Sequence, residues 1–187
     1  MKTSFWLKTM MLSVVATFLV ITSMEAQSFQ QTKQGVKGSV QGLDIQVEFF
    51  SPNIVRVYKT PVNNPYNKES LTVIKSPEQT KVDFGQKGQN LTLKSSKIQV
   101  EVNTQTGGIY FYTLSGNQLL KDKDYGTQFT SINDAGTPSY TIREGFLLDK
   151  DEAIYGVGQI MDNKFNRRNS THRMQNENMF TYSPYFM

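Results

Sequence analysis

Apolar and polar residues alternate over several short segments of this chain, and this alternation constrains the fold more than any other feature. In residues 43–49, leucine, isoleucine, valine and phenylalanine alternate with acidic and amide residues, and residues 98–102 repeat the pattern. A period of two predicts strands with one face on a core and the other toward solvent. After residue 26 no segment carries a convincing apolar stripe at helical spacing. The pattern therefore predicts an all-β fold.

Turn-forming residues separate these segments at a regular spacing. Clear turns are expected at residues 51–53, 104–108 and 115–117, where glycine, proline, serine and asparagine concentrate. Further strands are predicted at residues 54–58, 71–74, 81–84, 91–93, 109–114, 118–120 and 140–148, with loops at 61–68 and 121–138. This spacing favours an antiparallel β-sandwich. The run at 109–114 is almost continuously apolar, so we expect both of its faces to be covered.

The first residues have the composition of an export signal. Lys2 and Lys8 precede an apolar run of twelve residues at 10–21, and the small residues Ser23 and Ala26 follow. This order predicts a helical signal peptide over 1–26, cleaved after Ala26 or alternatively after Ser23. A membrane span needs about 20 apolar residues, so we expect no stable span after cleavage. Residues 27–187 are then one exported domain, periplasmic or at the cell surface of a bacterium.

The composition excludes several classes of function. Without cysteine there is no disulfide framework, which favours bacterial export, and the single His172 rules out a multi-histidine zinc site. Removing the predicted signal peptide reduces the net charge from +4 to +3, which is too little for a nucleic-acid-binding face. We therefore expect no metal, no cofactor and no nucleic-acid partner.

The stretch EAIYGVGQ at residues 152–159 poses a choice between a phosphate-binding loop and the end of a strand. A dinucleotide fingerprint requires a third glycine three residues after Gly158 and then a helix, but Met161 stands there and no helical pattern follows. We therefore predict a strand at 153–155, ended by glycines that permit a tight turn or a close backbone approach.

Carboxylates occur in small groups that fall in the predicted turns. Asp122 and Asp124 form one group, and residues 149–152 hold another. A glycosidase needs two carboxyl groups facing each other across a cleft, whereas neighbouring positions in a turn place charges side by side in solvent. The sequence thus predicts no catalytic pair, and the chain alone is expected to be inactive.

The tail from residue 159 onward is rich in amide, guanidinium and aromatic groups. Amides and guanidinium groups offer directional hydrogen bonds that suit sugar hydroxyls, and the faces of phenylalanine and tyrosine rings can pack on the apolar face of a sugar. The same residues are equally typical of a solvated polar loop followed by one more core strand. Residue types alone leave both interpretations open.

The tail resembles a known family. FLLDKDEAIYGVGQ at 146–159 resembles the end of the N-terminal, galactose-mutarotase-like β-sandwich of glycoside hydrolase family 31, where an acidic turn leads into a Tyr-Gly-x-Gly-Gln/Glu step. KFNRRNS at 164–170, MQNEN at 174–178 and SPYF at 183–186 are similar to the elements that follow in that family, and the hairpin at 97–120 also resembles its sandwich. The resemblance spans roughly residues 36–187.

The resemblance implies a retaining α-glycosidase of the α-glucosidase or α-xylosidase kind that acts on α-linked oligosaccharides or glycosides. In that family a catalytic (β/α)₈ barrel with two reactive aspartates follows the sandwich, so no family catalytic residue has a counterpart here and the missing barrel is the expected partner. The resemblance further implies that the loop after the glycine step helps to shape the sugar subsite. Asn176 or Asn178 matches the sugar-contacting position, where relatives often carry aspartate. The full set of predicted substrate-binding residues is Gln159, Arg168, Gln175, Asn176 and Asn178.

Two other functions remain open from the sequence. A free-standing carbohydrate-binding sandwich would hold glycan through the arginine- and asparagine-bearing loop and the tail aromatics. A structural or interaction domain at the cell surface would bind no sugar. If the chain is instead a glycosidase fragment without its barrel, as the resemblance implies, we expect a mobile loop at 160–180 and exposed apolar side chains at Tyr185 and Phe186.

Overall fold

The computed structural model of the protein describes residues 29–64, 70–175, 178 and 181–187. The predicted signal peptide at 1–26 lies outside these residues, so its helix and the boundary at 27 remain predictions. The fourteen strands are β1 (Gln30–Gln31), β2 (Gly35–Val40), β3 (Leu43–Ser51), β4 (Ile54–Pro61), β5 (Asp83–Lys87), β6 (Asn90–Lys94), β7 (Ile98–Asn103), β8 (Ile109–Thr113), β9 (Gln118–Asp122), β10 (Gln128–Asp134), β11 (Thr137–Arg143), β12 (Phe146–Leu147), β13 (Gly156–Gln159) and β14 (Thr181–Phe186). The described residues contain no helix, and hence none that could span a bilayer.

Two antiparallel sheets form the body of the molecule. The four-stranded sheet has the order β1-β2-β3-β4, and the six-stranded sheet has the order β12-β9-β8-β7-β6-β5. Neighbouring strands in both sheets are antiparallel. This arrangement confirms the predicted all-β class and the antiparallel sandwich.

The core lies between the two sheets and follows the period of two. In β3, the alternate residues Ile45, Val47 and Phe49 are buried, while residues 44, 46, 48 and 50 lie on the outer face. Their buried counterparts in the six-stranded sheet are Leu93, Val100, Val102 and Ile109. Fully burying a side chain of this size contributes about 1.5–3 kcal/mol, so the sandwich is held by the same residues that produced the sequence pattern.

Two further pairs of strands flank the sandwich. The hairpin sheet joins β10 to β11 in continuous register from Gln128↔Arg143 to Asp134↔Thr137. The tail sheet joins β13 to β14 with a register shift between Gly156 and Gly158. A backbone pair between Tyr155 and Met187 extends the tail sheet by one step. The chain segment after the glycine step thus returns to pair with that step.

Several predicted elements are wrong in type or position. Residues 71–74 form no strand and Leu71 and Ile74 lie almost fully in solvent, because a short apolar run specifies a strand only where a neighbouring strand covers it. The predicted loop at 121–138 contains β10, whose polar residues pair with β11. The predicted strand at 153–155 is not formed: β13 begins at Gly156, and of residues 153–155 only Tyr155 makes a backbone pair with the tail, at Met187.

Other boundaries shift by smaller amounts. The strand predicted at 81–84 lies at β5 and runs through Gly85 rather than ending there, and the strand predicted at 140–148 divides into β11 and β12. The prediction that both faces of 109–114 are covered holds at its start only: Ile109 and Tyr110 are buried, the next three residues are half-buried and Leu114 is exposed.

Candidate functional site

Three consecutive residues of the glycine step adopt left-handed backbone conformations. The φ angles are +106° at Gly156, +60° at Val157 and +102° at Gly158. Glycine adopts such angles without cost, but a β-branched residue with positive φ is strained. From the pair Gly156↔Phe186 to the pair Gly158↔Tyr182, β13 advances by two residues and β14 by four, so the extra residues of this irregularity lie on β14, opposite Val157.

The two glycines are also required by close backbone contact. A Cβ atom added at Gly158 would lie 2.0 Å from the carbonyl oxygen of Thr181, and one added at Gly156 would lie 2.6 Å from that of Tyr185. Both distances are far below any van der Waals contact. The glycine step therefore serves the pairing of β13 with β14. No helix follows Gly158 within the described residues, so the segment lacks the geometry of a phosphate-binding loop.

The Asn-Arg-Arg segment anchors the loop after β13 to the chain before it. Arg168 Nη1 donates to the carbonyl oxygens of Asp149 at 2.8 Å and Glu152 at 2.6 Å. Asn166 Oδ1 accepts from the backbone N–H of Ile154 at 3.0 Å. These bonds close the acidic turn onto the loop and fix where the loop leaves the tail sheet.

A second arginine stabilises the same loop from within. Arg167 Nη1 contacts both carboxylate oxygens of Asp162, at 2.6 and 2.7 Å, and this ion pair holds the pKa of Asp162 below its ordinary value. The hydroxyl of Ser170 lies 2.8 Å from His172 Nε2. No carboxylate contact to His172 completes a triad among the described residues.

The predicted sugar-binding residues fall into two groups. Gln159 on β13, Gln175 and Asn178 are exposed to solvent, whereas Arg168 is half-buried with Nη1 engaged on the acidic turn. Asn176 lies outside the described residues. The strand register places Gln159 beside Thr181, the first residue of β14. Asn178 precedes Thr181 by three residues in the sequence. Contact of these residues with a sugar remains a prediction.

An apolar cavity of about 380 Å³, the tail cavity, adjoins the tail sheet. It is lined by Phe146, Leu148, Ile154, Val157, Arg167, Ser170, His172, Met174 and Phe186. The rings of Phe146 and Phe186 lie 5.9 Å apart and connect the tail sheet to β12. As expected, Tyr185 and Phe186 are exposed, by 62% and 43%. The surface beside the predicted sugar loop is therefore mainly apolar.

A second cavity of about 410 Å³, the inter-sheet cavity, lies between β4, β9 and the base of the hairpin sheet. Lys59 occupies its floor, where its Nζ donates to Asp122 Oδ2 at 2.6 Å, to Thr127 Oγ1 at 2.7 Å and to Glu144 Oε1 at 3.3 Å. The prediction that Asp122 is a solvated turn residue is therefore wrong: it ends β9 and is only 4% exposed. The sequence did not indicate this because the two donors to Asp122, Lys59 Nζ and the backbone N–H of Ile109, are 63 and 13 residues away.

The two carboxylates of the inter-sheet cavity do not form a glycosidase pair. Asp122 and Glu144 are bound to the same ammonium group, so they lie side by side rather than across a space that a sugar could occupy. Burial raises the pKa of Asp122, while the hydrogen bond and charge of Lys59 oppose that rise. Each carboxylate forms an ion pair with Lys59, so neither is free to act as a proton donor or nucleophile.

Two further observations concern the acidic residues. Asp124 accepts a short hydrogen bond from the Tyr110 hydroxyl, and burial together with this bond raises the pKa of Tyr110 to about 12. Among the described residues, no cluster of three or more histidine, cysteine, aspartate or glutamate side chains could hold a metal ion.

The aromatic surface near the glycine step includes Phe165, which is 84% exposed and whose ring lies 5.1 Å from the ring of Tyr155. The sequence did not indicate this pair.

The sequence of this chain is similar to that of known proteins. A family model described as the glycosyl hydrolase 31 N-terminal galactose mutarotase-like domain matches residues 44–187. An α-xylosidase of Saccharolobus solfataricus is 23% identical over 121 residues, which cover 64% of this chain and 16% of that protein.

Solved structures show the same fold. A family 31 α-xylosidase from Xanthomonas citri superposes with a TM-score of 0.78 at 22% identity, covering 84% of this chain and 18% of that one. A family 31 α-xylosidase from a soil metagenome, in complex with xylose, gives a TM-score of 0.73 at 22% identity over 86% of this chain and 26% of that one. The chain thus spans about a sixth to a quarter of the length of these relatives.

Proposed function

Because the chain belongs to the family of glycosyl hydrolase 31 N-terminal galactose mutarotase-like domains, we propose that it is the non-catalytic N-terminal portion of an exported retaining α-glycosidase. The observation that carries this proposal is the family match over residues 44–187. In this proposal residues 1–26 are the export signal, residues 27–187 are the sandwich domain, and a catalytic barrel is its partner. The substrate is an α-linked oligosaccharide or glycoside.

The geometry of the tail supports a contribution to a sugar pocket. The pairing of β13 with β14 brings the chain back to the glycine step, and Arg168 and Asn166 fasten the loop between these strands to residues 149–154. Beyond this anchor, Gln175 and Asn178 are exposed and offer amide groups to solvent. An amide can both donate to and accept from a sugar hydroxyl. Gln159, Arg168 and Asn176 complete the proposed set of substrate-binding residues.

The exposed apolar residues of the tail support a partner that covers them. Phe165, Tyr185 and Met187 are exposed by 84%, 62% and 67%. A cluster of exposed aromatic and apolar side chains beside a polar loop is typical of a surface that packs against another domain. In the proposed enzyme that domain is the barrel, and the polar loop reaches past the contact toward the substrate.

The coding DNA after codon 187 tests the proposal first. We expect it to encode a (β/α)₈ barrel, in frame or after a shift. The joined polypeptide is then expected to hydrolyse an aryl α-xyloside or α-glucoside. Absence of a barrel in every reading frame would contradict the proposed enzyme.

Substitutions in that joined polypeptide test the sugar contact. Asn176→Ala or Asn178→Ala is expected to lower kcat/KM about tenfold, because one hydrogen bond to the sugar contributes about 0.5–1.5 kcal/mol. Gln128→Ala on β10 is the matched control, since Gln128 is also an exposed amide but lies on the hairpin sheet. Unchanged kinetics in both asparagine variants would contradict a role of the tail in the pocket.

A further inference from the structure

Four side chains form a small notch on the outer face of the four-stranded sheet. The register pairs Gln46 with Tyr58 and Glu48 with Arg56, so these residues occupy the corners of a square on the face opposite the buried Ile45 and Val47. The notch encloses about 130 Å³. On the β2 side Glu48 pairs with Gly35, which has no side chain.

The two charged residues of the notch face each other without pairing. Glu48 and Arg56 are direct cross-strand neighbours, a position in which opposite charges ordinarily attract. Within the part of the chain that the structure describes, they form no ion pair with each other, and no hydrogen bond engages either side chain. Arg56 instead lies over the rings of Phe50 and Tyr58, 6.0 and 5.4 Å from their centroids.

These contacts leave the N–H groups of Arg56 available to a ligand, because a cation–π contact attracts the charge without using the N–H groups as conventional hydrogen-bond donors. Glu48 is half-buried and lines the same notch, where its carboxylate supplies two acceptor oxygens. A donor fork and a carboxylate are therefore held on two sides of one notch, and the amide of Gln46 adds both a donor and an acceptor.

The arrangement selects the charge of the ligand. An anion is attracted by Arg56 and by the exposed Lys37, which pairs with Gln46 across β2 and β3, but is repelled by Glu48. A cation is attracted by Glu48 but repelled by both basic side chains, so neither charge suits both members of the cross-strand pair. A neutral hydroxyl group donates to a carboxylate and accepts from a guanidinium at the same time. Two neighbouring hydroxyls on a ring satisfy both side chains with charge-assisted hydrogen bonds.

We propose that the notch formed by Gln46, Glu48, Arg56 and Tyr58 binds one edge of a neutral sugar ring through two adjacent hydroxyl groups. The volume admits the edge of one ring, so the rest of a longer glycan lies along the sheet surface. The site uses residues of the four-stranded sheet alone and goes beyond the proposed function, which concerns the tail. It belongs to this chain whether or not a barrel follows.

An NMR titration of the full chain tests the site with methyl α-D-xylopyranoside, methyl α-D-glucopyranoside and maltotriose as probes. We expect amide shifts centred on residues 46–48 and 56–58, with a Kd on the order of millimolar. Tetrahydropyran, which has the ring but no hydroxyl, and inorganic phosphate are expected to leave these amides unchanged. Equal shifts with either of them, or no shift with any sugar at about 50 mM, would overturn the proposal.

Paired substitutions locate the binding. Glu48→Gln and Arg56→Lys each remove part of the hydrogen-bonding set while keeping a similar shape, and each is expected to weaken sugar binding about tenfold. Glu101→Gln on β7 and Lys121→Arg, whose cation lies over Tyr110 on the six-stranded sheet, are the matched controls and should bind as the unaltered chain does. Thermal midpoints verify that all four variants are folded.

The outcomes separate this site from the tail. Sugar-induced shifts confined to residues 159–178, or affinities unaffected by Glu48→Gln and Arg56→Lys, would overturn the notch as a site. Either result would leave the proposed enzyme untouched, because that proposal is tested by the asparagine variants of the tail in the joined polypeptide.

Discussion

Lys59 joins the two sheets of the sandwich through charge as well as packing. Its ammonium group on β4 binds Asp122 on β9, and all three of its N–H donors are used by Asp122, Thr127 and Glu144. A buried ion pair adds little net stability relative to apolar residues of the same shape, but removing one partner leaves an uncompensated charge. The ion pair therefore affects the free energy of unfolding most when only one of its two partners is removed.

We predict that Lys59→Met lowers the free energy of unfolding by about 3 kcal/mol, because it leaves the Asp122 carboxylate buried without its cation. The double variant Lys59→Met/Asp122→Leu is expected to recover most of that loss. Urea denaturation measures both, with the exposed Lys97→Met as the control. A double variant that is less stable than Lys59→Met would contradict this account of the contact.

The raised pKa of Asp122 predicts a pH dependence of stability. Unfolded Asp122 releases its proton near 3.8, and the folded carboxyl does so at higher pH because burial disfavours its charge. In the window above 3.8 the folded state therefore holds more protons than the unfolded state, and Asp122 makes the free energy of unfolding fall as pH rises.

Asp122→Asn removes this contribution, so its stability relative to the unaltered protein should increase as the pH rises above 3.8. Urea titrations of both proteins at several pH values across that range supply the difference. The opposite trend would show that the attraction of Lys59 outweighs burial and that the carboxyl is more acidic in the folded state.

The close backbone contacts of the glycine step predict how much stability is lost when a methyl group is added there. Gly158→Ala places a Cβ atom 2.0 Å from a carbonyl oxygen at a φ of +102°, whereas Gly116→Ala at a φ of +90° meets no atom within 4 Å. Backbone strain alone costs about 1–3 kcal/mol, so Gly158→Ala should cost more than Gly116→Ala. Hydrogen exchange of the β14 amides is expected to accelerate only in Gly158→Ala, and equal effects of the two variants would contradict the close approach.

At the scale of elements, strands that pack on the core could be read from the sequence and strands that pair at the periphery could not. Residues 43–49 and 98–102 alternate because one face of β3 and β7 is buried. The hairpin sheet is exposed on most residues of both strands, so no hydrophobic period marks β10. The apolar residues of 71–74 carry a strand pattern without a partner strand.

In the loop after β13, at the candidate site, the sequence was likewise insufficient to predict the role of each residue. The resemblance identified the segment with arginine and asparagine, but the role of each residue depends on contacts across 12 to 19 positions. Arg168 was predicted to bind sugar, and its Nη1 group holds the acidic turn. A guanidinium suits carbonyl oxygens of the protein and hydroxyl oxygens of a sugar equally well, so residue type alone does not separate the two.

We predict that Arg168→Ala frees the acidic turn at residues 149–152. Loss of two charge-assisted bonds to the carbonyl oxygens of Asp149 and Glu152 should accelerate hydrogen exchange around Glu152 and Ile154 about tenfold or more. Arg143→Ala on β11 is the control, because Arg143 is exposed. Unchanged exchange in Arg168→Ala would contradict its role as an anchor.

At the scale of the whole molecule, the chain is a sandwich domain whose similar proteins are several times longer. The match covers 84% of this chain but 18% of the α-xylosidase from Xanthomonas citri. The described residues hold two buried or half-buried carboxylates in one cavity, and both are bound to Lys59. Under the proposed function, bond cleavage takes place in another domain, and this one supports that domain and contacts the sugar.

The most direct test of this central claim is an assay of the purified 187-residue chain on aryl α-xylosides and α-glucosides. The account predicts no turnover above the enzyme-free rate, with Asp122→Asn and Glu144→Gln indistinguishable from the unaltered chain. Turnover by the chain alone that disappears in either of these variants would contradict it.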